Sequence, residues 1–138
     1  MIRTTIRSGI FAVAAVAAAV TAAPAHAYAD LSLSASDGVS AGQTIGVRLS
    51  GLDANLDSVA VGQCKAQVSG PADCNLAGSL LGKADADGVW QPRGGSAVTL
   101  VGSIGGVDCA AAPGACVIAV TSLTDPGNIL TSVPLTFG

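Results

Sequence analysis

The chain has 138 residues, half of them hydrophobic, and only one Trp, one Tyr and two Phe. Its net charge of −3 becomes −5 beyond residue 27, where four basic residues stand against nine Asp. Such an acidic chain repels nucleic-acid phosphates, and its few scattered basic residues form no patch, so direct binding to nucleic acid is not expected.

Residues 1–27 have the pattern of an export signal. Two Arg precede an apolar run over residues 9–20, and small residues at 25–27 precede a possible cleavage site. A membrane anchor would need about 20 apolar residues, and this run is shorter. We therefore expect cleavage before Tyr28 and secretion without membrane association. The remaining 28–138 have the length of one domain.

The chain beyond residue 27 lacks the side chains of common catalytic sites. It contains no Glu, and the one His of the chain, His26, lies in the signal. A Ser-His-Asp triad and a Cys-His pair are therefore impossible. A Ser-Lys pair or an Asp dyad stays open, but no recognised motif surrounds either. We do not expect an enzyme.

Composition and periodicity favour strands over helices. Gly, Ser, Thr, Val and Asp are abundant, and Glu and Met are absent after the signal. Turn signals such as Asp37-Gly38, Asp87-Gly88 and residues 125–128 separate the strand-like segments. These segments, several with period-two alternation, are residues 31–35, 45–49, 58–68, 98–100 and 130–137. Their spacing predicts an all-β sandwich or barrel.

Four cysteines form two local pairs along the chain. Three pairings are possible, and the Gly, Pro and Ser within each interval favour Cys64 with Cys74 and Cys109 with Cys116. Disulfides suit an exported protein. Zinc is the alternative, but there is no Cys-x-x-Cys and no His after the signal, so no metal site is expected.

Acidic residues in turns are the other candidates for a site. Asp85 and Asp87 have part of the spacing of a calcium loop, but no bidentate Glu follows them. Asp73 and Asp108 each directly precede a cysteine. We expect these carboxylates to accept hydrogen bonds from local backbone in turns.

Short motifs recur around the cysteines along the whole mature chain. They are Val-Gly-Gln-Cys at 61–64, Asp-Cys-Asn at 73–75, Asp-Ala-Asp-Gly at 85–88, Gly-Val-Asp-Cys at 106–109 and Ala-Cys at 115–116. In this order they resemble the neocarzinostatin family. The resemblance implies a seven-stranded immunoglobulin-like β-sandwich with a small two-stranded ribbon beside a cleft. It also implies an antibiotic chromoprotein whose cleft holds a labile enediyne chromophore non-covalently, and whose released chromophore cleaves DNA.

The resemblance also implies a set of ligand-binding positions. They are Gln63, Ala66, Ala72, Ser79, Val117, Ala119 and Thr121, and Trp90, which follows the Asp87-Gly88 turn, is added because it could compensate for missing aromatics. At four of them this chain departs from the bulkier or ligand-reaching residues of the antitumour members: Ala66, Ala72, Ser79 and Val117. Because large aromatics supply contact area to a polycyclic ligand, these departures predict a shallower or wider pocket. Trp90 is either a core residue, which its size favours, or a platform for the ligand.

Two functions remain open. The first is a secreted carrier that stores and shields a small apolar ligand, with an enediyne-like chromophore as its one candidate cofactor. The second is an extracellular structural or interaction module that kept the fold and lost the ligand. The absent aromatics favour the module, and the retained motifs favour the carrier. We adopt the carrier and expect a monomer.

Overall fold

The computed structural model describes residues 29–125 and 128–138, so the signal, its cleavage site and part of the turn at 125–128 lie outside it. The described chain consists of strands, turns and two short 3₁₀ helices, Pro71–Asp73 and Leu76–Gly78. Its strands are β1 (Asp30–Leu33), β2 (Asp37–Val39), β3 (Thr44–Ser50), β4 (Val59–Lys65), β5 (Leu80–Ala84), β6 (Trp90–Pro92), β7 (Ala97–Thr99), β8 (Ser103–Ile104), β9 (Val107–Asp108), β10 (Cys116–Ser122) and β11 (Ile129–Phe137).

The strands form two packed sheets and a ribbon. One sheet has six strands in the order β2-β11-β10-β4-β5-β6, and the other has three in the order β1-β3-β7. Strands β8 and β9 form the separate two-stranded ribbon. Most neighbouring strands are antiparallel, whereas β2 runs parallel to β11. The predicted all-β sandwich with a small ribbon is confirmed.

The seven strands of the expected sandwich are present, but two of them are divided between the sheets. The first strand pairs with β3 as β1 and with β11 as β2, after a bend at residues 34–36. The chain after Gly88 likewise pairs with β5 as β6 and then with β3 as β7. If each divided strand is counted once, the two sheets contain seven strands, not counting the two of the ribbon.

The main core lies between the two sheets and is built largely from small aliphatic side chains. Strand β3 shows how the sequence produces it, because Ile45, Val47 and Leu49 are buried while the residues between them are more open. Strand β10 is buried along almost its whole length, so both of its sides are covered. The core contains Val39, Ile45, Val47, Leu49, Val59, Val61, Trp90, Val98, Leu100, Ile118, Val120 and Leu135.

Within residues 29–125 and 128–138, no helix has the length and apolar character of a membrane span.

Candidate ligand-binding site

The six-stranded sheet has a second side, opposite the main core, which we call the outer face. Along β10, Ile118 and Val120 join the main core, whereas Val117 and Ala119 form a separate apolar cluster with Cys64. Since strand residues alternate sides, this cluster lies on the outer face. Val117 is only 8 % exposed and Ala119 only 4 %, so neighbouring chain shields the middle of the face. The side chains packed against the cluster are Val68, Cys74 and Ile129.

A row of four small residues crosses the outer face, and we call it the small-residue row. Ser132 of β11 lies opposite Ala119, and Ala119 lies opposite Gly62 of β4. The row ends at Ser79, whose Oγ would be 2.5 Å from a Cβ placed on Gly62. The Ser79 hydroxyl donates to the carbonyl oxygen of Asn75 at 3.0 Å. The row therefore forms a low strip between bulkier neighbours.

A disulfide borders the small-residue row on one side. Cys64 on β4 is bonded to Cys74, and the two residues also form an isolated antiparallel bridge. The amide of Asn75 donates to the carbonyl oxygen of Gln63 at 2.8 Å and fixes the returning chain beside the strand. Val117 of β10 lies directly opposite Cys64. The predicted pairing of Cys64 with Cys74 is thus confirmed, and it places a covalent wall on the outer face.

The loop closed by this disulfide is also held by one carboxylate. Asp73 accepts hydrogen bonds from the Ser69 amide at 2.7 Å, the Ser69 hydroxyl at 2.9 Å and the Gly70 amide at 3.2 Å. Its other oxygen is 3.2 Å from Nζ of Lys65. The hydrogen bonds from Ser69, assisted by Lys65, lower the pKa of Asp73 to about 2. Asp73 therefore stays ionised and organises the loop, as its expected turn role requires.

The other turn carboxylates have the same local role. Asp85 accepts from the amides of Asp87 and Val89 at 2.8 and 3.0 Å, and these bonds lower its pKa. Asp108 accepts from the amide of Ala110 at 3.0 Å. Both arrangements are turn motifs in which a carboxylate caps backbone N–H groups.

The side chain of Gln63, one of the expected ligand-binding positions, points away from the outer face. It is completely buried, and its amide donates to Val101 O at 2.9 Å and accepts from Val101 N at 2.8 Å. Its Nε2 also lies 3.4 Å from Sγ of Cys109. Gln63 thus joins β4 to the chain that leads into the ribbon. Cys109 is bonded to Cys116 at the base of the ribbon, as predicted.

Trp90 belongs to the core, which is the role that its size favours. Its side chain is 4 % exposed, and its Nε1 donates to the carbonyl oxygen of Val59 at 3.1 Å. The indole lies beside Gly82, where an added Cβ would come within 2.7 Å of Nε1. The scarcity of aromatics in this chain makes Trp90 the largest single contribution to the core.

The remaining predicted positions divide into two groups. Ser79, Val117 and Ala119 meet on the outer face. Thr121 continues the alternation from Ala119 and is half-buried, with its hydroxyl 3.3 Å from the carbonyl oxygen of Asn128. Ala66 and Ala72 lie outside the sheet on the disulfide loop, and both are exposed.

Several residues of the outer face were missed by the sequence analysis. Ser132 completes the small-residue row, and Val68 and Ile129 shield the apolar cluster. Period-two alternation along β11 marks a strand but does not show which residue of β10 lies opposite Ser132. The register between the strands supplies that information, and it follows from the fold.

Two packed sheets, two local disulfides, a ribbon and an apolar face outside the core define a small disulfide-bonded immunoglobulin-like β-sandwich. The neocarzinostatin family model matches residues 31–137, and the chain belongs to this family.

Solved structures give the same fold. Macromomycin matches with 23 % identity and a TM-score of 0.59, over 80 % of this chain and 99 % of its own. The solution structure of apokedarcidin matches with 27 % identity and a TM-score of 0.53, over 81 % of this chain and 100 % of its own. No curated protein gives a significant match.

Proposed function

We propose that this protein is a secreted carrier that holds one small apolar molecule non-covalently on the outer face. The observation that supports this most is the apolar cluster of Cys64, Val117 and Ala119, which lies outside the main core. A β-sandwich needs only the sides that face each other for its core. A second apolar cluster, walled by a disulfide and by the loop that it closes, therefore suits a ligand.

The composition of this face favours a flat and mainly apolar ligand. The small-residue row of Ser132, Ala119, Gly62 and Ser79 gives the ligand a low floor. The walls are aliphatic side chains and a disulfide, and the polar groups of the described face are a few hydroxyls. Such a site excludes water from a reactive ligand while few hydrogen bonds orient it. An enediyne-like polycyclic chromophore, implied by the family resemblance, is the class of ligand that we propose.

The proposal also includes secretion of the protein and storage of the ligand without any chemical change. Residues 1–27 act as a signal removed before Tyr28, and the two disulfides form on the outside of the cell. The protein acts as a monomer, performs no chemistry on the ligand and binds no nucleic acid directly. Any damage to DNA is the work of the released molecule.

Binding of a fluorescent polycyclic hydrocarbon, pyrene, to the purified mature protein tests the site. Ala119→Leu adds bulk to the middle of the floor, and Ser132→Phe adds bulk to an exposed end of the same row. Each should weaken pyrene binding by about tenfold, which corresponds to about 1.4 kcal/mol. Ala97→Leu, an identical change at an exposed position of β7, is the matched control and should leave binding unchanged.

Native mass spectrometry of protein secreted by its own host tests the function itself. A bound small molecule that Ser132→Phe displaces supports the carrier. Protein that stays unliganded in host extracts and does not bind pyrene contradicts it.

That second outcome would favour the interaction module. Leu76, on the 3₁₀ helix next to Ser79, is 62 % exposed, and Leu123 is 50 % exposed. Large apolar side chains on a surface can serve as protein contacts. The alternative would be established if the protein carried no ligand on the outer face and Leu76→Ser no longer bound a partner protein that the natural protein binds.

A further inference from the structure

A groove lies where β3 and β6 separate, with β1 alongside, and none of its lining residues belongs to the outer face. Its volume is about 540 Å³, within the range of sites for small molecules. Strand β3 and the chain 88–96 are joined at both ends of the groove, by Val47 N to Ser96 O at 2.7 Å and by Leu52 N to Gly88 O at 3.1 Å. The lining residues are Asp30, Leu31, Ser32, Val47, Arg48, Leu49, Ser50, Val89, Trp90, Pro92 and Ser96.

The groove exists because the chain changes sheets there. After Gly88 the chain pairs with β5 through β6, and only after the Gly94–Gly95 turn does it return to β3 as β7. The segment between the two hydrogen-bonded ends is longer than the stretch of β3 that it faces, so it bows outward. The opening is therefore short and closed at both ends, which suits a compact molecule better than an extended peptide.

Backbone groups of both strands point into this opening. Ser34 N donates to Gly46 O, so Gly46 and every second residue after it on β3 form hydrogen bonds with β1. Leu49 is one of the residues between them, and it directs its N–H and C=O away from β1. Arg93 N donates to Leu81 O, and the same alternation directs the N–H and C=O of Trp90 away from β5. Strand β7 ends before it reaches Leu49. Both strands thus offer hydrogen-bonding edges to the groove.

Two charged side chains line the groove, those of Arg48 and Asp30, and neither has a partner within the described chain. Arg48 is exposed on β3, opposite Ser32 of β1, and it forms neither an ion pair nor a hydrogen bond with any described residue. Asp30 lies diagonally on β1 but does not pair with it. A guanidinium binds a carboxylate through two parallel hydrogen bonds. The rest of the lining is mainly apolar, with Trp90 and Pro92 on one wall.

We propose that this groove is a second binding site, separate from the outer face, for a compact apolar monocarboxylate. The apolar part of the ligand lies against the exposed side chain of Val89 and against Pro92, and its carboxylate pairs with Arg48. The edge N–H of Leu49 supplies a further donor to the carboxylate. Binding at this site does not involve the apolar cluster around Ala119.

2-Naphthoate is the probe, and its uncharged amide is the matched ligand. In amide NMR spectra of the mature protein, 2-naphthoate should shift the resonances of Leu49 and Trp90 and leave those of Ala119 and Ser132 in place. Arg48→Gln should weaken 2-naphthoate binding by about tenfold, because a charge-assisted pair is lost. The same substitution should leave the affinity for 2-naphthamide unchanged.

Arg93→Gln is the control, because Arg93 is exposed, follows β6 and does not line the groove. It should bind 2-naphthoate as the natural protein does. The proposal is overturned if Arg48→Gln binds 2-naphthoate with natural affinity. It is also overturned if the shifts centre on Ala119 and Ser132, since the probe then occupies the outer face.

Discussion

The side-chain amide of Gln63 and the backbone amide of Val101 form a closed pair of hydrogen bonds, 2.9 and 2.8 Å long, between β4 and the chain before the ribbon. Gln63 is completely buried and Val101 is half-buried, so the pair is partly shielded from water. Gln63 thus forms its contacts on the side of the sheet opposite the outer face, although the neighbouring Cys64 lies on the outer face.

Gln63→Leu should destabilise the protein through this pair. It keeps the bulk of the side chain but leaves the N–H and C=O of Val101 without their partners, at a cost of about 2–4 kcal/mol in the free energy of unfolding. Urea denaturation measures the change. Gln91→Leu, at an exposed position of β6, should cost less than about 1 kcal/mol. Equal effects of the two substitutions would contradict the structural role of Gln63.

The two disulfides should differ in their importance. The chain-entropy model gives each of these short loops about 2–3 kcal/mol. Cys109 and Cys116 are both fully buried, whereas Cys74 is half-buried. Serine hydroxyls at 109 and 116 therefore carry an added desolvation cost.

We expect the double serine variant at Cys109 and Cys116 to have the lower melting temperature, and the variant at Cys64 and Cys74 to lose more pyrene affinity. The reverse order of melting temperatures would show that the disulfide loop beside Asp73 limits stability. Mass spectrometry of the natural protein should show a gain of about four hydrogens on reduction.

The ionisation of Asp73 should make stability depend on pH. Its folded pKa, about 2, is below the usual 3.8, so the stabilisation is complete above pH 3.8 and is lost as the pH falls toward 2. Asp73→Asn should lower the melting temperature at pH 6 and flatten its decline between pH 4 and pH 2. Asp87→Asn, at an exposed turn position, is the control and should keep the natural profile. An unchanged acid profile in Asp73→Asn would contradict the assigned hydrogen bonds.

Gly62→Ala tests the geometry of the small-residue row. The new Cβ would lie 2.5 Å from Oγ and 3.3 Å from Cβ of Ser79, so the hydroxyl must turn away from Asn75 O and Ser79 must shift by a few tenths of an ångström, at a cost of about 1–3 kcal/mol. Adding Ser79→Gly should recover most of that loss in a double-mutant cycle. Additive effects of the two substitutions would show that Gly62 and Ser79 are not neighbours across the strands.

The fold was predictable because its signals are local. The alternating segment 45–49 and the strand-like run 130–137 lie within β3 and β11, and the spacing of the cysteines indicated both disulfides. The strand-like run 58–68 was too long, because the chain leaves the sheet after Lys65 to return to Cys74. The division of two strands between the sheets has no local signal, since it depends on which partner each half meets.

The sequence by itself determined the strand content, the pairing of the cysteines and the membership in a family whose motifs span the mature chain. The tertiary structure decided which side chains of each strand face the core. Strand β4 is buried on both sides, so alternation separates Gln63 from Cys64 without indicating which of them faces outward. That choice depends on the opposing sheet, whose packing buries Gln63 and Trp90 and leaves Cys64, Val117 and Ala119 to form the outer face.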